Sequence, residues 1–277
     1  MSVNKFTSKE QYRSIVSVVK ERGCRLTNCF FLPTELDNKI QEGILLYEDI
    51  DTGILLLEDR WSFYRCYFFL DSSETPKPIV LDKDAVVEIP FNVAPNEGQQ
   101  LQIRKVESMG FKLGRNSGMM SCLPEEIVKL RLPLDCLSLC QFAEVQDATQ
   151  ILEMLTETFN PLYSFLPSEK ELLLAIEGGF VFVLKKDNEV IGTLVSSLKK
   201  NVASIKQLVI KQKYRGFGLG NILLNKYHNH YSATAKYFQH WVDLNNSSAI
   251  SMYKKYGYRF AVKKAKEYVL ISGGYEK

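Results

Sequence analysis

Gln207-Leu208-Val209-Ile210-Lys211-Gln212-Lys213-Tyr214-Arg215-Gly216-Phe217-Gly218-Leu219-Gly220-Asn221 decides how this chain is read. Leu208, Val209 and Ile210 form an aliphatic run of strand type, and Ile222, Leu223, Leu224, Tyr227 and Tyr231 then recur at helical spacing. The glycines therefore sit where a strand hands over to a helix. With no side chains at 216, 218 and 220, the main chain can turn sharply and bring several N–H groups together. Such groups at a helix start, reinforced by the helix dipole, make a seat for a phosphate or diphosphate.

The spacing separates this turn from other glycine loops. A P-loop closes on Gly-Lys-Ser/Thr, whereas Gly220 is followed by Asn221-Ile222. A dinucleotide fingerprint needs Gly-x-Gly-x-x-Gly and an acidic residue about twenty positions on. Asp243 has that reach, but these glycines are spaced by two throughout. Downstream, Lys236 to Leu244 reads as an aromatic-rich strand. Asn246-Ser-Ser-Ala249-Ile250-Ser-Met-Tyr253-Lys-Lys255-Tyr-Gly257-Tyr258 reads as a capped helix ended by a glycine.

Arg215-x-x-Gly218-x-Gly220 after a strand resembles the diphosphate motif of the GNAT superfamily of acyl-CoA N-acyltransferases. The second segment resembles that family's Asn-x-x-Ala-x-x-x-Tyr-x-Lys-x-Gly-Phe/Tyr signature at every position. The resemblance covers residues 137–272 well and 1–122 only as a decayed copy. It implies an α+β fold built on a mixed sheet, and acetyl-CoA as co-substrate. The diphosphate would lie on Arg215, Gly216, Phe217, Gly218, Leu219 and Gly220. The pantetheine arm would pair with the backbone of Leu208, Val209 and Ile210 and meet Asn246. Tyr253 would face the acyl sulfur as general acid while a primary amine attacks the thioester directly. His240, Trp241 and Tyr163 are the expected acceptor wall.

The chain departs from the family in two places. Many members carry a Glu near the positions of Lys206 and Gln207, and none stands here, which leaves a water relay or Asp243, Glu153 or Glu157 to take the amine's proton. The family's common Pro in the turn is replaced by Gln212, while the glycines that carry the geometry are present.

Composition narrows the classes. The 277 residues are 45% hydrophobic, enough for one or two cored domains. A net charge of +3 is too balanced to argue for nucleic acid or a membrane surface. The six cysteines (Cys24, Cys29, Cys66, Cys122, Cys136, Cys140) include no Cys-x-x-Cys pair, and with three histidines no metal-ligand spacing arises. Reduced thiols, no apolar signal core at the start and no run of roughly 18 apolar residues point to a cytoplasmic protein.

Taken in order, Ser8 to Gln11 opens a helix up to Gly23, and Pro33 to Glu42 a second. Ile44–Glu48, Gly53–Glu58 and Ser62–Leu70 read as an antiparallel meander, Asp71–Lys83 as a loop and Val86–Phe91 as a fourth strand. Gly98–Met109 is a helix closed by Gly110-Phe111, as Lys254-Lys-Tyr-Gly257-Tyr258 closes the later one. Setting Gly110 against Gly257 suggests two similar halves in tandem, with Gln99 at the place of Asn246 and Val106 at that of Tyr253. The first half lacks the glycine turn and the room for its helix, so it is expected not to hold CoA. His228 and His230 are expected at the surface. Leu123 to Leu134, bounded by Pro124 and Pro133, gives the expected division: 1–122 a degenerate half, 123–135 a connector, 136–277 the acetyltransferase half.

Three functions compete. The leading one is an N-acetyltransferase acting on an amine of a small molecule or peptide. A longer-acyl or aminoacyl transferase of tandem type is the second, and the intact diphosphate turn favours a CoA donor. The third is a non-catalytic CoA sensor, against which the retained Tyr253 counts.

Overall fold

The computed structural model describes residues 3–128, 130 and 138–272. Two compact units share the chain: one runs to Asn116 and resumes at Lys263, the other spans Ser117–Val262. The expected cut after Cys122 differs from these limits. Residues 117–122 pack with the later unit and the segment from Lys263 with the earlier one.

In the first unit, β1 (Asn4–Lys5), α1 (Lys9–Glu21), β2 (Leu26–Thr27) and α2 (Pro33–Gln41) precede β3 (Leu45–Ile50), β4 (Gly53–Asp59) and β5 (Phe63–Leu70). The three longer strands pair antiparallel as the expected meander. Strand β4 shows why this sheet needs cover on both faces. Ile54 and Leu56 join Val16, Val19 and Leu36 of the two helices, while the alternate residues Leu55 and Leu57 join Val106 of α3 (Glu97–Ser108) and Met109, its C-cap.

Strand β6 (Asp84–Asn92) runs parallel to β5, but only Phe63↔Asp84, Tyr64↔Ala85 and Arg65↔Val86 pair. Beyond them the chain fills the gap with itself. Leu26 and Thr27 pair with Leu70 and Phe69, and Asn28 follows. The Asn28 Nδ2 donates to the Cys66 and Glu88 carbonyls at 3.4 and 3.2 Å, and its Oδ1 accepts the Phe68 N–H at 3.0 Å. The segment Lys263–Leu270 completes this unit by pairing antiparallel with β6.

The second unit begins with the later part of β7 (Lys112–Cys122), followed by a 3₁₀ turn at Pro124–Glu126. Of the expected connector, 129 and 131–135 lie outside the described residues. Then come β8 (Cys140–Phe142), α4 (Ala148–Thr158), α5 (Pro161–Ser164), α6 (Glu169–Glu177), β9 (Val181–Lys186), β10 (Glu189–Lys199), β11 (Val202–Ile210), α7 (Leu219–Tyr231), β12 (Tyr237–Asp243), α8 (Ser247–Lys255) and β13 (Arg259–Leu270). Strands β8 to β11 pair antiparallel, β12 lies parallel to β11, and Ser117–Cys122 of β7 pairs antiparallel with β12. One sheet face packs on α7 through Phe182, Leu184 and Ile205, and the other on α4 and α6 through Val181, Val183 and Val209.

The two expected repeat ends agree in backbone. Gly110 and Gly257 both take positive φ, 98° and 94°, just after α3 and α8. The helix starts do not agree. Asn96 caps α3 as Asn246 caps α8, so α3 is longer, Gln99 lies inside it, and fully buried Val106 is core. The surface placement expected for His228 is corrected: at 4% exposure it packs into the core with Nε2 2.9 Å from the Tyr258 hydroxyl, while His230 is exposed. Five cysteines, Cys24, Cys29, Cys66, Cys122 and Cys140, are buried free thiols, and Cys136 lies outside the described residues. No described helix is long and apolar enough to cross a membrane.

Candidate active site

The glycine turn is built by what flanks it. After Ile210, the Lys211 N–H still bonds the Ile191 carbonyl, and a 3₁₀ turn at Gln212–Tyr214 follows. Glu189 grips this turn, accepting from Lys211 Nζ, Lys213 Nζ and the Tyr214 hydroxyl. Those bonds, led by that from Lys211, pull the Glu189 carboxyl down to about 2. Arg215 donates its Nε to the Ile210 carbonyl at 2.8 Å, lashing the turn to the strand end. Gly216 and Gly218 take φ of 88° and 75°, a region side chains disfavour.

Among the described residues, no protein acceptor meets the N–H groups of Gly216, Phe217, Gly218, Leu219 or Gly220. Arg215 differs, because its own N–H is taken by the Gln212 carbonyl at 3.1 Å, which leaves the guanidinium as its binding group. The first turn of α7 leans on α8. A Cβ at Gly220 would come 3.3 Å from Met252 Sδ, and the Tyr256 hydroxyl donates to the Asn221 carbonyl.

Strand β11 parts from β12 just before this turn. Their parallel pairing runs from Val202↔Tyr237 to Ile205↔His240 and stops. At the same point Ser196↔Ile205 gives way to Val195↔Gln207, so Lys206 is the extra residue of a β-bulge. Beyond it, Gln207 to Ile210 pair with no strand but β10, and on their other edge the Ile210 carbonyl is taken by Arg215 Nε. The first unit has the same parting between β5 and β6, but there β2 and Asn28 occupy it. A sheet edge that one unit closes with its own peptide stands open in the other, ready to receive an extended amide chain.

The bulge also sorts side chains between faces. Ile205 lies in the α7 cluster, whereas Val209 lies in the α4 and α6 cluster, so Gln207 shares the latter face. Tyr253, on α8, is buried on the α7 side, and burial pushes its hydroxyl well above the usual phenol range. His240 lies against it, with ring centroids 3.6 Å apart, and is 3% exposed with neither ring nitrogen partnered among the described residues. Burial, assisted by His228, lowers its pKa to about 3. The expected acceptor wall is therefore split: His240 backs Tyr253 in the core, while Trp241, the next residue along β12, is 44% exposed on the opposite face.

The remaining expected residues have unequal duties. Asn246 caps α8 by accepting the Ala249 N–H through Oδ1, and its Nδ2 faces no protein acceptor among the described residues. Tyr163 sits in α5, whose last carbonyl, Ser164, is bound by Gln207. Asp243 accepts the Asn245 N–H, and Glu153 and Glu157 are exposed on α4. Gln207 itself was legible in sequence only as a missing carboxylate. In the fold it is a buried clamp, donating Nε2 to the Ser164 and Phe165 carbonyls at 2.9 and 3.0 Å.

The acetyltransferase (GNAT) family model matches residues 148–258. A search of curated protein sequences finds no match. Among solved structures, a GCN5-related N-acetyltransferase from Sphaerobacter thermophilus aligns with a TM-score of 0.55 at 12% identity, over 85% of this chain and 80% of its own. A tandem GNAT protein from the clavulanic acid biosynthesis pathway aligns at 0.54 and 10% identity over 99% of both chains. A GNAT-family acetyltransferase from Colwellia psychrerythraea aligns at 0.51 and 14% identity, over 98% of this chain and all of its own. At these identities the likeness is one of fold, and the tandem relative has it over the full length of both units.

Proposed function

We propose that this chain, whose residues 148–258 match the acetyltransferase (GNAT) family model, transfers an acetyl group from acetyl-CoA to a primary amine in a ternary complex. One observation carries the reading: the N–H groups from Gly216 to Gly220, without a protein acceptor among the described residues, follow a strand, Gln207 to Ile210, that has no strand partner on its β12 side. Five converging donors at a helix start suit a diphosphate. The strand edge offers amide partners to the pantetheine arm, and the Asn246 Nδ2 is free to reach a carbonyl of it.

The chemistry then follows from position. Holding thioester and amine side by side removes the entropic cost of their encounter. A strand N–H on the open edge stabilises the oxyanion of the tetrahedral intermediate. Tyr253, kept protonated by burial, hands its proton to the departing thiolate. Buried free thiols and a CoA donor support a cytoplasmic setting for this activity.

Thermal unfolding with and without acetyl-CoA tests the reading. At a hundredfold excess over Kd, binding adds about 2.7 kcal/mol, a rise in Tm of about 5–10 °C for a chain of this size. Gly218→Glu, which sets a carboxylate among the donors, abolishes the rise; a rise that survives the substitution removes the turn from the binding site. Release of CoA thiol with a panel of amines, amino acids and peptides then tests transfer itself.

A further inference from the structure

The parting of β11 from β12 has two faces, and Tyr253 lies on only one of them. His240 and Val242 turn to the α7 side, where they are buried with Tyr253. Tyr237, Gln239, Trp241 and Asp243 turn to the other side, and none of the four is buried. The apolar cluster that α4 and α6 form on that side includes Val209 of β11 but no residue of β12. Trp241 follows directly on the last pair between the two strands, Ile205↔His240, and buried Met119 of β7 stands opposite it. The indole is left 44% exposed.

The β11 side of the same face carries a second ring. Gln207 holds the Ser164 and Phe165 carbonyls through its Nε2. Phe165 takes φ 40° and ψ 54°, a left-handed conformation that a bulky residue keeps only where its surroundings fix it. The clamp fixes it from one side, and Leu166 packs against the α4 and α6 cluster from the other. The Phe165 side chain remains 50% exposed. Two half-exposed aromatic residues thus flank the parting on the face away from Tyr253, one on a strand and one on a clamped turn. Large rings kept at the surface beside a reaction opening are contact area for a ligand.

We propose that Phe165 and Trp241 take an aromatic ring of the acceptor, and that the acceptors are primary amines joined to such a ring by a short aliphatic link. This rests on the acetyl-transfer reading above. With the thioester sulfur at Tyr253, the amine arrives from the opposite face, which is where the two rings stand. A ring lodged there holds its amine at the parting by a link too short to wander. Gln207 is then a positioning residue, acting through Phe165.

Initial rates with phenethylamine, n-butylamine and spermidine test the assignment. Phenethylamine should lead both others in kcat/KM by about tenfold or more, the scale of an aromatic contact. Trp241→Ala and Phe165→Ala should each raise the phenethylamine KM about tenfold with little change in kcat, Trp241→Phe should restore most of the affinity, and all three should keep the acetyl-CoA rise in Tm. Trp61 and Trp241 are the only tryptophans in the sequence, so in Trp61→Phe the emission reports on Trp241 alone. Phenethylamine added with CoA should change that emission, and n-butylamine should not. Either aliphatic amine in front, an unchanged KM in either alanine variant, or an emission blind to phenethylamine overturns the proposal while leaving acetyl transfer standing. Protection by acetyl-CoA without turnover of any amine removes both readings.

Discussion

The rings of His240 and Tyr253 lie 3.6 Å apart, centroid to centroid, and 33° from parallel, the imidazole sealed beneath the phenol. Its burial makes it an acid-sensitive element. Above about pH 6.5 the imidazole is neutral both folded and unfolded and adds no pH dependence. Below that, the unfolded chain takes a proton that the folded one refuses until about pH 3, and His228, also lowered to about 3 by burial, behaves alike. Stability is therefore lost as pH falls from 6.5 towards 3, by about 1.4 kcal/mol per pH unit for each histidine. His240→Phe keeps the stack and removes two unpartnered nitrogens, so it should raise Tm at pH 5 and make the acid slope shallower. Melting curves between pH 4 and 8 decide; an unchanged slope rules out a neutral His240.

Removing the Tyr253 hydroxyl tests the proposed acid. Tyr253→Phe leaves the ring packing in place, so acetyl-CoA affinity should hold while turnover falls roughly 10²-fold or more. Single-turnover kinetics beside calorimetric titration separate the two. Equal turnover takes Tyr253 out of the chemistry.

Asn28 makes a prediction about the first unit. Asn28→Ala strips partners from the buried Phe68 N–H and from the Cys66 and Glu88 carbonyls, a loss of about 1–3 kcal/mol. Because β2 still lies against β5, acetyl-CoA should bind at one site per chain in both wild type and variant. A second site in the variant would show that Asn28 alone closes the first unit.

The two repeat glycines should respond unequally. Alanine at Gly110 meets only positive φ, with Leu270 Cδ1 in ordinary contact at 3.5 Å, and should lose roughly 1–2 kcal/mol. Alanine at Gly257 meets the same φ and also collides with the Glu126 carbonyl oxygen, so its loss should be clearly larger. Chemical denaturation of both variants checks the order, and equal losses would mean that the Pro124–Glu126 turn yields freely.

The sequence by itself determined what is local. The strand-to-helix glycine turn, the Asn246 cap, the Ser8 helix start, the glycine ends at 110 and 257 and the β3 to β5 meander all follow from spacing and backbone preference, and they recur in the fold. Such features are written within a few residues, where periodicity and side-chain chemistry act directly. Tertiary structure alone decided what depends on residues far apart. It set which unit receives 117–122 and the segment from Lys263, and it inserted β2 and Asn28 into the first unit's gap. It turned Gln207 into an amide clamp through a one-residue bulge, and sent His240 and His228 into the core. A bulge exchanges the faces of every later residue on its strand, and a gap is filled by whichever segment reaches it, so neither is encoded in a local pattern.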